Sequence, residues 1–188
     1  MKIHEYQAKA ILAEFGVPVP RGEVASTAEE AKNIAFQLGG KVVIKAQVHA
    51  GGRGKAGGIK VASSPEEAAE IARQMIGSRL VTHQTTAEGV PIEKVLIEEA
   101  IDVKRELYLG ITIDRASSLP AIMASEAGGM EIEEIAHKHP EKILKLPIQL
   151  TGQVRPYHLV RLVKFMGWEK EMGSLGKKIA ALLAKAFI

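Results

Sequence analysis

Lys41-Val-Val-Ile-Lys-Ala-Gln-Val-His-Ala-Gly-Gly-Arg-Gly-Lys-Ala-Gly-Gly-Ile-Lys-Val61 is the stretch whose reading decides the fold. It divides into strand, glycine-rich loop and strand. Val42, Val43, Ile44 and Val48 favour a strand, as do Ile59 and Val61. Between them lie five glycines and two basic residues, Arg53 and Lys55, with little that could build a core. Glycine carries no Cβ and accepts positive φ, so such a loop can bring backbone N–H groups close to an anion. The guest that suits it is a polyphosphate. A solvated hairpin tip is the plainer alternative.

Two familiar phosphate motifs fail here. Gly52-Arg-Gly-Lys-Ala-Gly57 matches G-x-G-x-x-G. That pattern needs a helix directly after it, to seat the pyrophosphate on a helix N-terminus. Ile59-Lys-Val61 is strand-like instead. A Walker A loop requires Ser or Thr after Gly54-Lys55, and Ala56 stands there. A flap between antiparallel strands remains, with Lys45 on the entering strand.

Working outward, 188 residues hold one domain or two small ones. Hydrophobic residues make up 46% and charged residues 25%, which is ordinary for a globular protein. The absence of cysteine excludes disulfides and thiolate metal sites. Net charge is +3, with 25 basic against 22 acidic residues largely interspersed, and aromatics are 4%. A nucleic-acid binder more often shows a basic stripe with stacking residues. No apolar run has the length of a membrane span, and Met1-Lys-Ile-His-Glu-Tyr6 has no signal-peptide core.

Periodicity predicts a helix over 4–15, with Ile11, Leu12 and Phe15 available to pack. Gly16-Val-Pro-Val-Pro-Arg-Gly22 ends it. Ser26-Thr-Ala-Glu29 reads as a capping box opening a helix that Gly39-Gly40 closes. Ser64-Pro-Glu-Glu67 reads as a second box, with Pro65 at the first helical position. Val95–Glu99 is then a strand, so 22–100 reads β-α-β-β-α-β. Beyond Ile101, residues 106–114 and 120–125 predict a hairpin. A short acidic helix spans 131–137. Pro140, Pro147 and Pro156 punctuate a loop region. Leu159, Leu162, Val163 and Met166 mark one more helix, and Ser174 opens the last.

Met1-Lys-Ile-His-Glu-Tyr-Gln-Ala-Lys9, Lys45-Ala-Gln-Val-His-Ala-Gly-Gly-Arg-Gly-Lys-Ala-Gly-Gly58, Gly77-Ser-Arg-Leu-Val-Thr82, Arg105-Glu-Leu-Tyr-Leu-Gly110 and Met123-Ala-Ser-Glu-Ala-Gly-Gly-Met-Glu-Ile-Glu133 closely resemble the β subunits of succinyl-CoA synthetase. The likeness is collinear over the whole chain. It implies an α/β (α+β) fold of ATP-grasp type, in which two small α/β subdomains clamp a nucleotide. Residues 1–21 would form an N-terminal helix and connector packing on the second subdomain, 22–100 the first subdomain with the flap, and 101–188 the second, incomplete at its C-terminus. The implied reaction joins succinate to CoA with ATP or GTP, by way of a phosphohistidine on a partner α subunit in a heterodimer or heterotetramer, in the citric acid cycle. No residue of this chain is then expected to be the nucleophile. The implied setting is the cytoplasm, or the mitochondrial matrix, although no transit peptide is present.

The resemblance also carries over a site for ATP/ADP or GTP/GDP. Lys45 matches the lysine at the phosphates, and Gly52, Arg53 and Gly54 the segment covering them. Glu98 falls at the strand end on the adenine or ribose side. Ile101 matches a contact made through backbone, and Glu106 an acid of the same pocket. His49 is a candidate for a phosphate contact or for shaping the flap, and Gly128-Gly129 for a close approach or a turn. His137 and His139, two apart, do not share a helix face and make a poor metal pair. The ligands for Mg²⁺ are expected beyond residue 188, and a catalytically inactive N-terminal fragment is the corresponding expectation. Relatives acting on malate or citrate, a docking fragment for an α subunit, and a carboxylate–amine ligase are the alternatives.

Overall fold

Short helices and strands are set by their caps and by alternation. The computed structural model describes residues 2–128, 132–151 and 153–187. Helix α1 runs Glu5–Glu14, strand β1 Gly22–Ala25, α2 Ala28–Gln37, β2 Val42–Ala46, β3 Ile59–Ala62 and α3 Pro65–Met75. Strands β4 (Arg79–Leu80) and β5 (Val90–Pro91) form a two-stranded ribbon, and β6 runs Val95–Glu99. The chain divides into two units. One comprises Met1–Ala10 and Val19–Asp102, the other Ile11–Pro18 and Val103–Ile188.

In the first unit four strands make an antiparallel sheet in the order β1-β6-β2-β3. Lys45 stands opposite Ile59, so the glycine loop does join neighbouring antiparallel strands. Alternation sorts each strand into two faces. Val42, Ile44 and Ala46 of β2 and Val95 and Ile97 of β6 are buried in one core with Ala31, Ile34 and Ala35 of α2 and Ala68, Ile71, Ala72 and Met75 of α3. Val43 and Lys45, opposite Glu98 and Leu96, share the other face. The fold thus spends one face on its core and leaves the other for charged side chains.

Cap chemistry corrects one boundary. Thr27, not Ser26, is the N-cap of α2: its hydroxyl accepts from Glu30 N, and Ser26 N donates to the Glu30 carboxylate at 2.7 Å. The reciprocal pattern is shifted by one residue because Thr27 has the extended φ and ψ that a cap requires. At α3, Ser64 caps as expected and Ser63 N donates to Glu67.

The second unit holds an antiparallel sheet of β7 (Tyr108–Asp114), β8 (Leu119–Ser125) and β9 (Leu144–Pro147). Helix α4 covers Ile132–Lys138, a 3-10 turn covers Pro140–Lys142, α5 runs Pro156–Phe165 and α6 Lys170–Phe187. Glu131 and Gly129 lie outside the described residues. β9 falls in the stretch expected to be loop. Leu144 and Leu146 point into the core while Lys145 and Pro147 are exposed, and Pro147 is tolerated because β9 is an edge strand. α6 begins four residues before Ser174. Gly173 and Gly176, which look like breakers, are buried in it beside Trp168. A Cβ on Gly176 would lie 2.1 Å from the indole ring. Ile122, Leu146, Ile148, Leu162, Met166, Ala180 and Ala184 complete this core.

Candidate functional site

The charged face of the first sheet carries the site. Strand alternation turns Lys45 and Glu98 to that face, and the first turns of α1 bring Glu5 and Lys9 to them. Lys45 Nζ donates to Glu5 Oε1 at 3.1 Å and lies 2.5 Å from Glu98 Oε2. Lys9 Nζ lies 2.9 Å from Glu5 Oε1 and bonds Glu98 Oε1 as well. Arg53 reaches back from the loop: Nη2 donates to Glu5 Oε2 at 2.6 Å and Nη1 to the Ala46 carbonyl at 2.7 Å. Three cations therefore converge on two carboxylates, leaving the group at +1.

Glu98 is 2% exposed, which a carboxylate tolerates when it is paired. Gly22, opposite it on β1, makes room. A Cβ there would stand 2.7 Å from Glu98 Cγ and 2.5 Å from the Ile97 carbonyl. Burial works to raise the Glu5 pKa, but Lys9, Lys45 and Arg53 outweigh it and hold Glu5 at about 2. Burial pulls Lys45 downward, and the carboxylates of Glu98 and Glu5 prevail and raise it. Both groups are charged throughout the neutral range.

The loop itself is a folded turn. Ala56 N donates to Gly52 O, Gly57 N to Gly54 O and Gly58 N to Arg53 O, while Gly51 N donates to the Gln84 side chain. These four amides serve the loop's own shape, and Arg53 is the loop side chain that reaches the charged face. Gly52 is at φ +73°, where L side chains are rare, and a Cβ on it would stand 2.6 Å from His83 Nδ1. Beside Glu5 and Arg53 opens a cavity of about 360 Å³, lined also by Lys2, His49, Gly51 and Gln84.

Lys45, Arg53 and Glu98 are thus brought together, with Gly52 and Gly54 flanking Arg53. His49 packs its ring on His4, centroids 3.9 Å apart, and so ties the root of the loop to the start of α1. Gln47 adds a second tie by accepting from Tyr6 N. Ile101 follows β6 and is 57% exposed. Glu106 belongs to the second unit, where it is exposed and its carbonyl accepts from Gly128 N at 3.2 Å. A Cβ on Gly128 would come within 2.4 Å of the Glu106 backbone. Glu99 turns away from Glu98 and pairs with Arg21 at 2.8 Å.

Glu5 and Lys9 are functional candidates that sequence reasoning passed over. A Glu and a Lys four apart on a helix ordinarily form a solvated pair. Their place within Met1–Lys9, the stretch that carries part of the resemblance, was the available signal. Chemically the group has a net positive charge beside an open cavity, which suits an anion. A cation does not fit it, since both carboxylates are committed to ammonium and guanidinium groups. Among the described residues no cluster of three or more His, Cys, Asp or Glu could hold a metal ion.

Relatives and solved structures agree with this architecture. The chain is 50% identical over 189 residues to the succinate–CoA ligase [ADP-forming] subunit beta of Wolinella succinogenes, covering 100% of this chain and 48% of that one. It is 55% identical over 172 residues to the protein of the same name from a Nitratiruptor species, covering 91% and 44%. The chain thus spans about half the length of the curated relatives it matches. Among solved structures, the dinucleotide-forming acetyl-coenzyme A synthetase 1 of Ca. Korarchaeum cryptofilum superimposes with a TM-score of 0.67 at 22% identity, over 98% of this chain and 79% of that one, a likeness of fold. The family model for the ATP-grasp domain matches residues 2–188. The chain belongs to the ATP-grasp domain family.

Proposed function

We propose that this chain is the nucleotide-binding portion of the β subunit of an ADP-forming succinate–CoA ligase. The observation that carries the reading is the convergence of Lys45 and Arg53 on Glu5, which with Arg53 lines an open cavity at the glycine loop. Identity of 50% over the full chain to ligase β subunits supports the choice of reaction. In that reaction succinate, CoA and ATP give succinyl-CoA, ADP and phosphate, with the phosphoryl group carried by a histidine of an α subunit. Lys45 and Arg53 would meet the charge of the ATP or ADP phosphates, Arg53 by its planar fork. Gly52 and Gly54 keep side chains away from that contact. Glu98 holds Lys45 and Lys9 in place, and the resemblance assigns it to the adenine or ribose side of the nucleotide. Ile101 and Glu106 remain assigned to the nucleotide by resemblance.

Mg²⁺ accompanies the phosphates in the proposed reaction and would offset their charge. Glu5 and Glu98, already spent on cations, do not fit as its ligands. A cytoplasmic or matrix setting follows the proposed role in the citric acid cycle.

Thermal unfolding with increasing ATP or ADP tests the reading. A ligand that binds the folded chain raises Tm with concentration, by about 2.7 kcal/mol of stability at one hundred times Kd. A dose-dependent rise is expected. No rise at millimolar nucleotide would leave docking of an α subunit as the better reading.

A further inference from the structure

We propose that Glu5 is a surrogate anion: its carboxylate competes with a polyphosphate for Lys45 and Arg53, and binding of the polyphosphate displaces it. This rests on the reading of Lys45 and Arg53 as phosphate contacts. The carboxylate is ringed as a phosphate oxygen pair would be. Arg53 Nη2 lies 2.6 Å from Oε2, and Lys45 and Lys9 lie 3.1 Å and 2.9 Å from Oε1. The two cations assigned to phosphate are the same two that Glu5 engages from α1. Arg53 is held by two bonds, one to Glu5 and one to the Ala46 carbonyl. Releasing the first frees half of its fork while the second keeps it near the strand. The cavity beside Glu5 and Arg53 gives a phosphate chain a way in.

Lys9 makes the exchange tolerable. Once Lys45 and Arg53 turn to the ligand, Glu5 would otherwise stand unpaired beside new negative charge. Lys9 lies between Glu5 and Glu98 and remains with both. Glu5 is thus a positioning residue. It aligns the two cations, keeps the loop against the sheet, and sets how tightly a polyphosphate must bind to take its place. A ligand that competes with an internal group has an apparent Kd equal to its intrinsic Kd divided by the fraction of time that group leaves the site free.

Glu5→Gln keeps the shape and removes the charge. Calorimetric titration of the 188-residue chain with ATP should give a Kd roughly fivefold to tenfold lower for Glu5→Gln than for wild type. A merely structural role would leave affinity unchanged or weaken it. Carbodiimide labelling of carboxylates, read by mass spectrometry, tests the same step without a mutation. Labelling at Glu5 should rise in wild type when ATP is saturating, because its partners have left. Unchanged or weaker affinity for Glu5→Gln, or unchanged or slower labelling of Glu5 with ATP bound, would overturn the inference. Should wild type bind no ATP, the nucleotide reading itself fails, and the inference fails with it.

Discussion

Lys45 shows why a charge on an apolar strand must be read with its neighbours. It is 21% exposed at the side chain and joined to Glu98, which is 2% exposed as a residue. Lys45→Met keeps the stem and removes the charge, so Glu98 is left with Lys9. An uncompensated buried charge is costly. The substitution is expected to lower stability by about 2 kcal/mol in urea unfolding, in addition to weakening ATP binding. Glu5 adds a pH dependence. Its pKa falls from 4.5 in an ordinary glutamate to about 2 in the fold. The unfolded chain therefore binds the proton more readily, and stability rises with pH between those values. The Glu5 contribution is present above pH 4.5 and fades as pH falls toward 2. Unfolding free energies measured from pH 2.5 to 5 should rise more steeply for wild type than for Glu5→Gln.

At the scale of elements, the loop and its strands were legible because glycine spacing and β-branched residues are local signals. The register of Lys45 opposite Ile59 follows from the two strands meeting across that loop. Other features depend on contacts distant in sequence. β9 reads as loop because Pro147 masks an alternation that only an edge strand accommodates. The start of α6 is hidden by Gly173 and Gly176, whose reason for being glycine is Trp168. Glu5 meets Lys45 across 40 residues of chain and Lys9 meets Glu98 across 89, which no local pattern encodes. The Gly176 argument has a direct consequence. Alanine gains about 1 kcal/mol over glycine in helix propensity. A Cβ 2.1 Å from the Trp168 ring forces the indole to move and costs about 1–3 kcal/mol. Gly176→Ala should therefore lower Tm. An unchanged or higher Tm would show that Trp168 relaxes freely.

On the scale of the whole molecule, each unit combines a small antiparallel sheet with helices, and the sheet of the first carries a face of paired charges. Its core occupies the helix-covered face of the sheet, so the opposite face can hold Lys45 and Glu98 without loss of packing. α1 completes that face with Glu5 and Lys9, and the loop between β2 and β3 closes on it through Arg53. The central claim is that this group recognises the phosphates of a nucleotide. Calorimetric titration of ATP into wild type and Arg53→Ala measures it most directly. The account predicts measurable binding by wild type and a loss of about 1.5–3 kcal/mol for Arg53→Ala, the worth of a charged hydrogen bond. Equal affinity for the two chains would contradict it.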